Sequence, residues 1–311
     1  MRNFINIADI DKKELRKIID HAKSQKEKRS SLKKSTVDPE APLADKTLIL
    51  IFEQSSTRTR LSFEIAMQQL GGRLLVLNPN ESHLGKGDES IHDTAKVLSQ
   101  YGDIVMMRTY KHERLLEFSK HLDIPIINGL TSGDGGNHPC QIMSDILTFE
   151  ELKGPITNKK IAWLGDGNNV AYSLIEAAVQ FDFELSIACP KSYEPNKNIL
   201  QWAKKNKGNI LVTKDPIKAA SAADCIMTDK WISMGDKINK NKKKKSLKPY
   251  QVNKKIMNAA NKDSIFMHCL PANRGEEVTD EIMDGKQSAV WLEALNRIHT
   301  QKSIIEWCLD Y

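Results

Sequence analysis

Apolar residues along this chain follow two alternating rhythms. Short runs such as Leu48-Ile49-Leu50-Ile51-Phe52, Ile161-Ala162-Trp163-Leu164 and Ile265-Phe266-Met267 are apolar at successive positions, hence on both faces of an extended chain. Longer segments such as Leu61–Leu70 repeat apolar residues at helical spacing. The first kind reads as parallel strands covered by helices on each side. Strands are expected at 47–53, 74–78, 103–108, 124–128, 160–164, 184–189, 209–213, 224–228, 264–269 and 288–292. Helices are expected at 11–24, 58–70, 90–101, 112–121, 139–152, 169–180, 197–206, 215–222, 249–261 and 294–309. Ser90 and Gly102 punctuate the third of these helices. Each half holds four or five β-α units, so the expected fold class is α/β, with two open parallel-sheet αβα domains. The domains are placed at 1–150 and 151–293, joined through the helix after His138-Pro139-Cys140-Gln141, with Gly154-Pro155 beyond it. A cleft between two such domains, facing the carboxyl ends of their strands, is the expected place for a ligand.

Length agrees, since 311 residues exceed what one core usually serves. The apolar fraction of 40% and charged fraction of 28% are those of a soluble globular protein. No apolar run approaches the roughly 20 residues that cross a bilayer, and Met1–Asp20 lacks a signal-peptide or transit pattern. Five scattered cysteines without Cys-x-x-Cys argue against a disulfide framework or zinc ribbon and for the cytoplasm. The net charge of +6 invites a nucleic-acid reading, but it has one source. Six lysines lie within residues 237–245, and removing that window takes the charge from +6 to 0. The run contains no aromatic for base stacking, so it is expected to be a solvated loop or helix start.

Candidate chemistry gathers at the expected strand ends. Ser56-Thr57-Arg58-Thr59-Arg60 joins the strand 47–53 to the helix 58–70. Hydroxyls and guanidiniums beside the positive end of a helix form an anion site, here read as a phosphate-binding loop for a small phosphorylated molecule. Arg108, His138 with Gln141, Asp229 with Ser233 and Met234, and His268-Cys269-Leu270-Pro271 occupy four further strand ends. Gly165-Asp166-Gly167-Asn168-Asn169 approaches a dinucleotide fingerprint, but Val170 stands where the third glycine belongs, which rejects NAD. An asparagine at that helix start binds a carboxylate or caps the helix. Cys269 is a nucleophile, a small buried hydrophobe or a polar ligand contact. Alternation along a strand would turn His268 to the opposite face, which argues against a Cys-His pair.

Taken together, Phe52-Glu53-Gln54-Ser55-Ser56-Thr57-Arg58-Thr59-Arg60, His138-Pro139-Cys140-Gln141, Ser233-Met234-Gly235 and His268-Cys269-Leu270-Pro271 resemble the motifs of the ornithine carbamoyltransferase family, in order and over nearly the full length. The first two are shared with aspartate carbamoyltransferases; the last two resemble the ornithine branch. The resemblance implies transfer of the carbamoyl group of carbamoyl phosphate to ornithine, giving citrulline for arginine synthesis. It implies a carbamoyl-phosphate domain, with the C-terminal helix 294–311 packing back on it, and an ornithine domain. Ser56, Thr57, Arg58 and Thr59 would hold the phosphate with Arg108. His138 and Gln141 would contact the carbamoyl group, and Arg297 would close over it. Cys269 and Leu270 would offer backbone carbonyls to the carbamoyl amide. Asn169, Asp229, Ser233 and Met234 would hold ornithine. Arg58, His138, Asp229 and Cys269 are the residues expected at the chemistry. The family is trimeric, and His83 matches a position that enters a neighbouring subunit's site. No metal or cofactor, nucleic acid or membrane is implied. Three features depart from the family pattern: the glycine-rich stretch 132–137, Leu292 and Leu295 where acids are common, and Lys230 after Asp229. Two other readings stand beside this one, a carbamoyltransferase for another amine such as putrescine, and a binder using the lysine run.

Overall fold

The computed structural model describes residues 1–78, 89–133, 135–232 and 239–311. Among these residues the strands are β1 (Thr47–Phe52), β2 (Arg73–Leu77), β3 (Ile104–Thr109), β4 (Ile126–Thr131), β5 (Lys160–Leu164), β6 (Glu184–Ala188), β7 (Ile210–Thr213), β8 (Cys225–Met227) and β9 (Ile265–Met267). The α-helices are α1 (Lys12–Lys28), α2 (Thr57–Gln69), α3 (Ile91–Tyr101), α4 (His112–His121), α5 (Pro139–Lys153), α6 (Asn169–Gln180), α7 (Lys197–Lys205), α8 (Pro216–Ala220), α9 (Lys240–Leu247), α10 (Lys254–Ala259), α11 (Asp280–Met283) and α12 (Val290–Cys308). The chain divides into two compact units, Met1–Met143 with Arg297–Tyr311, and Ser144–Asn296.

The first unit holds a parallel sheet in the order β2-β1-β3-β4. Leu50 stands opposite Val76 on one side and Met106 on the other. β1 and β3 are buried almost throughout, as both-face apolar runs require, while the edge strand β2 mixes exposed and half-buried residues. Ile49, Ile51, Val105 and Met107 form a core with Leu98 of α3 and Phe118 of α4. Burying each such side chain contributes about 1.5–3 kcal/mol. The C-terminal part of α12 packs back within this unit. Ser303 Oγ donates to the Ile18 carbonyl at 2.7 Å, and Trp307 Nε1 donates to Glu14 Oε2 at 3.0 Å.

The second unit holds a parallel sheet in the order β7-β6-β5-β8-β9. In both sheets the strand order reverses once, between β1 and β3 in one and between β5 and β8 in the other. Loops leaving two such neighbours depart to opposite sides and open a crevice at the carboxyl ends of the strands. This places the loops after β1 and β3, and those after β5 and β8, where chemistry is expected.

Three sequence expectations need correction. Residues 288–292 are not a strand: Ser288 makes only a bridge to Phe266, and α12 begins at Val290. The helix expected over 249–261 is broken. Pro249 sits in a short 3-10 turn, Val252 bridges Val278, and Asn253 caps a new helix by accepting the Ile256 N–H. The described part of the lysine run does start a helix, with Asn239 capping α9, but it is not solvated throughout: Lys243 lies inside the unit, 3% exposed. By contrast, Ser90 caps α3 and Gly102 ends it as the sequence implied.

Candidate active site

In the first unit, Ser56 is the N-cap of α2, its Oγ accepting the Thr59 N–H at 3.3 Å. Helix geometry leaves the N–H groups of Thr57 and Arg58 without intrahelical acceptors, at the positive end of the dipole. Thr59 is buried, and its Oγ1 accepts from both Arg108 Nη1 and Arg297 Nη2 at 3.4 Å. The other amino group of Arg297 donates to Gln141 Oε1 at 2.6 Å. One hydroxyl thus joins guanidiniums from β3 and α12, which lie far apart in sequence. Arg60 does not join them. It turns outward to Glu64, one helical turn on, at 2.8 Å.

His138 precedes α5, whose first residue is Pro139, a residue suited to that position. Its carbonyl accepts the Gln141 N–H at 3.1 Å, so the same turn sets both side chains. The imidazole is held well below its ordinary pKa, first by burial and then by Arg297, Arg108 and Arg58. A neutral ring results, surrounded by cations. The glycine-rich stretch before it is cinched at its neck, since Thr131 N–H donates to the Asn137 carbonyl and Asn137 N–H donates to Thr131 Oγ1, both at 2.9 Å. A Cβ on Gly136 would stand 2.7 Å from the Thr131 carbonyl oxygen, so only glycine fits there. Behind β1, Gln54 Nε2 donates to the Thr109 carbonyl at 2.9 Å and Ser132 Oγ at 3.0 Å, tying three strand-end loops together.

In the second unit, Asp229 follows β8 and is 8% exposed. Its Oδ2 accepts from Asn168 Nδ2 at 2.8 Å, and its Oδ1 accepts from the Cys269 thiol at 3.3 Å. Asn168, not Asn169, is the helix cap, its Oδ1 accepting the N–H groups of Val170 and Ala171. Asn169 is the first residue of α6 and is excused from capping. Burial, with the Asp229 carboxylate next in importance, pushes the Cys269 thiol far above its ordinary pKa. β9 ends at Met267, so strand alternation does not separate His268 from Cys269, contrary to the sequence argument. The donor atoms of Asp229, His268 and Cys269 all lie within 4.8 Å of one another. A nucleophilic pair is excluded for another reason: the thiol faces a carboxylate, and His268 Nδ1 accepts the Leu270 N–H at 2.8 Å. With Nδ1 accepting, the ring proton sits on Nε2, facing Glu277 Oε1 at 3.4 Å. Leu270 has φ of +58°, a left-handed conformation uncommon for a branched side chain and typical of constrained functional turns.

Ser233, Met234 and His83 lie outside the described residues. Sequence reading missed Asn168, Gln54 and Glu293. Glu293 is buried and accepts the His268 N–H at 2.8 Å, so an acid within Trp291-Leu292-Glu293 supports the 268–270 turn although Leu292 and Leu295 are apolar. The signal for Asn168 was present, because N-caps precede the first helical residue.

Two family profiles divide the chain between them. The aspartate/ornithine carbamoyltransferase carbamoyl-P binding domain matches residues 2–151, and the Asp/Orn binding domain matches residues 157–308. The chain belongs to the aspartate/ornithine carbamoyltransferase family. It is 50% identical to the ornithine carbamoyltransferase of Brucella suis over 310 residues, 100% of this chain and 96% of that one. It is equally similar, at 50% over 308 residues, to that of Rhodopseudomonas palustris, covering 99% of this chain and 96% of the relative. Among solved structures, ornithine carbamoyltransferase from Pyrococcus furiosus superposes with a TM-score of 0.91 at 41% identity, covering 98% of this chain and 96% of that one. The anabolic enzyme from Campylobacter jejuni gives a TM-score of 0.89 at 37% identity over 100% and 99%.

Proposed function

We infer that this chain is an ornithine carbamoyltransferase, transferring the carbamoyl group of carbamoyl phosphate to the δ-amine of ornithine to give citrulline and phosphate. The observation that carries the reading is the cluster of Arg58, Arg108 and Arg297 around a neutral His138. Guanidiniums with hydroxyls at a helix mouth suit a phosphoryl dianion. In this reading Ser56, Thr57, Arg58, Thr59 and Arg108 hold the phosphate, while His138, Gln141 and Arg297 hold the carbamoyl group. The backbone carbonyls of Cys269 and Leu270 receive the carbamoyl amide. Asn169, Asp229, Ser233 and Met234 hold ornithine, Asp229 through its ammonium.

The reaction is acyl transfer. The δ-amine attacks the carbonyl carbon, a tetrahedral oxyanion forms, the carbon–oxygen bond to phosphate breaks, and the departing phosphate takes the amine's proton. Arg58, the Thr59 hydroxyl and His138 stabilise the oxyanion, typically the largest catalytic contribution. A neutral imidazole donates a hydrogen bond to that oxygen without serving as an acid at pH 7. The δ-amine resembles a lysine amine with reference pKa about 10.4, so presenting it neutral at pH 7 costs roughly 4–5 kcal/mol. We further propose a homotrimer in the cytoplasm, His83 reaching a neighbour's site. The resemblance supports the trimer, and five reduced cysteines suit the compartment.

Assays with ornithine, putrescine and aspartate as acceptors test the substrate. Ornithine is expected to be strongly preferred, at a rate rising between pH 7 and 9. Equal or better turnover of putrescine would overturn the choice.

A further inference from the structure

α9 carries five lysines, and Lys243 alone among them is buried. Leu247, one turn on, is buried too and packs with Trp231 and Tyr250. These two residues form the inward face of the helix, so the lysine run is amphipathic in an unusual sense, with one charge turned inside. Lys243 Nζ lies 2.6 Å from Asp166 Oδ2, with the two side chains only 4% and 12% exposed, and 5.3 Å from the centre of the Tyr193 ring. A well-packed apolar residue would give comparable cohesion without desolvating an ammonium. What the ion pair adds is direction, because it is satisfied in one geometry only.

That geometry concerns the loop Gly165–Asn168, which leaves β5 at the point where the strand order reverses. The loop is held on its other sides: Trp163 Nε1 donates to the Asp166 carbonyl at 2.9 Å, and Gly167 N–H donates to the Tyr193 carbonyl at 2.8 Å. A Cβ on Gly167 would stand 2.5 Å from the Pro195 nitrogen. Two residues beyond Asp166, Asn168 both caps α6 and donates to Asp229. Little slack exists between the Lys243–Asp166 pair and the Asn168–Asp229 hydrogen bond.

We infer that Lys243 is a positioning residue for the amine substrate, latching Asp166 so that Asn168 holds the Asp229 carboxylate in its ammonium-binding orientation. The inference rests on Asp229 as the ornithine anchor. It assigns the lysine run a role inside the protein, while Lys240, Lys242 and Lys245 of the same helix are exposed and Lys244 pairs with Glu276.

The test is steady-state kinetics of the full chain with both substrates varied. In Lys243→Met the KM for ornithine is expected to rise about tenfold, with the KM for carbamoyl phosphate within about twofold of wild type. Lys243→Arg restores the ornithine KM, and Lys242→Met, on the exposed face, leaves it unchanged. The double variant Lys243→Met/Asp166→Asn separates positioning from simple burial of charge. It is expected to regain melting temperature, having no uncompensated buried charge, yet to keep a raised ornithine KM because the latch is gone. It also serves if Lys243→Met does not fold. A wild-type ornithine KM in either variant, or equal loss for both substrates, overturns the latch. Failure of the wild-type chain to use ornithine would overturn the functional reading instead, so the two failures are distinguishable.

Discussion

The clusters at the two strand-order reversals are built on the same topological plan and are opposite in charge. In the first unit the charged groups acting on His138 are all cations, supplied by α2, β3 and α12. In the second unit a carboxylate after β8 is met by a neutral amide and a neutral thiol. In the function proposed above, the cationic cluster around a neutral ring suits the anionic substrate, and the carboxylate suits the ammonium of the other. The folding topology therefore decides where ligands lie, while the few side chains at the strand ends decide which ligand each position takes.

The sharpest way to break this comparison is to remove charge from the first cluster. Arg58→Gly is expected to lower kcat about 10³-fold while circular dichroism and the melting transition stay near wild type. Near-normal turnover would refute its part in the oxyanion site. Removing the opposite charge comes next. Asp229→Asn should lower kcat/KM for ornithine about 10²-fold, and calorimetry should still detect carbamoyl phosphate binding at wild-type strength. Parallel losses for both substrates would show that the two clusters are not separable.

A smaller effect is expected at Cys269. Because its thiol is held protonated by burial and by Asp229, Cys269→Ala should cost about tenfold in kcat/KM, far less than the ≥10⁴-fold typical of a lost nucleophile. A nucleophile-sized loss would reverse the assignment. The smallest effect concerns acid stability. Among the described residues the histidines held below their ordinary pKa, His112, His138 and His299, all lie in the first unit. Burial, aided by Lys26, Lys302 and Arg29, lowers His299 to about 3. The unfolded chain takes up that proton near pH 6.5, whereas the folded chain resists until about pH 3, so stability is lost as pH falls through this window. His299→Asn should show a shallower drop in melting temperature between pH 7 and pH 5 than wild type. An unchanged slope would remove His299 from the acid response.

Much of this was legible in one dimension. Runs such as Leu48–Phe52 admit few alternatives, because apolar residues at every position demand cover on both faces. Ser90 announced a helix start through chemistry local to the backbone, and Ser56 and Pro139 turn out to mark starts of the same local kind. The strand expected at 288–292 failed because a short apolar run does not distinguish a buried strand from the first turn of a buried helix. Lys243 was read as solvated for a similar reason. A lysine's neighbours in sequence do not reveal that Asp166, 77 positions away, waits on the inner side of its helix.

Most of the local order in this chain, along with the kinds of chemical group at each strand end, was set by nearest neighbours and could be read from them. Pairing was not. Thr59 receives Arg108 and Arg297, and Asp229 receives Asn168 and Cys269, only once the sheets have assembled. Protonation follows the same rule: residue type sets the reference value and the direction in which burial moves it, but how far it moves depends on everything packed around the group.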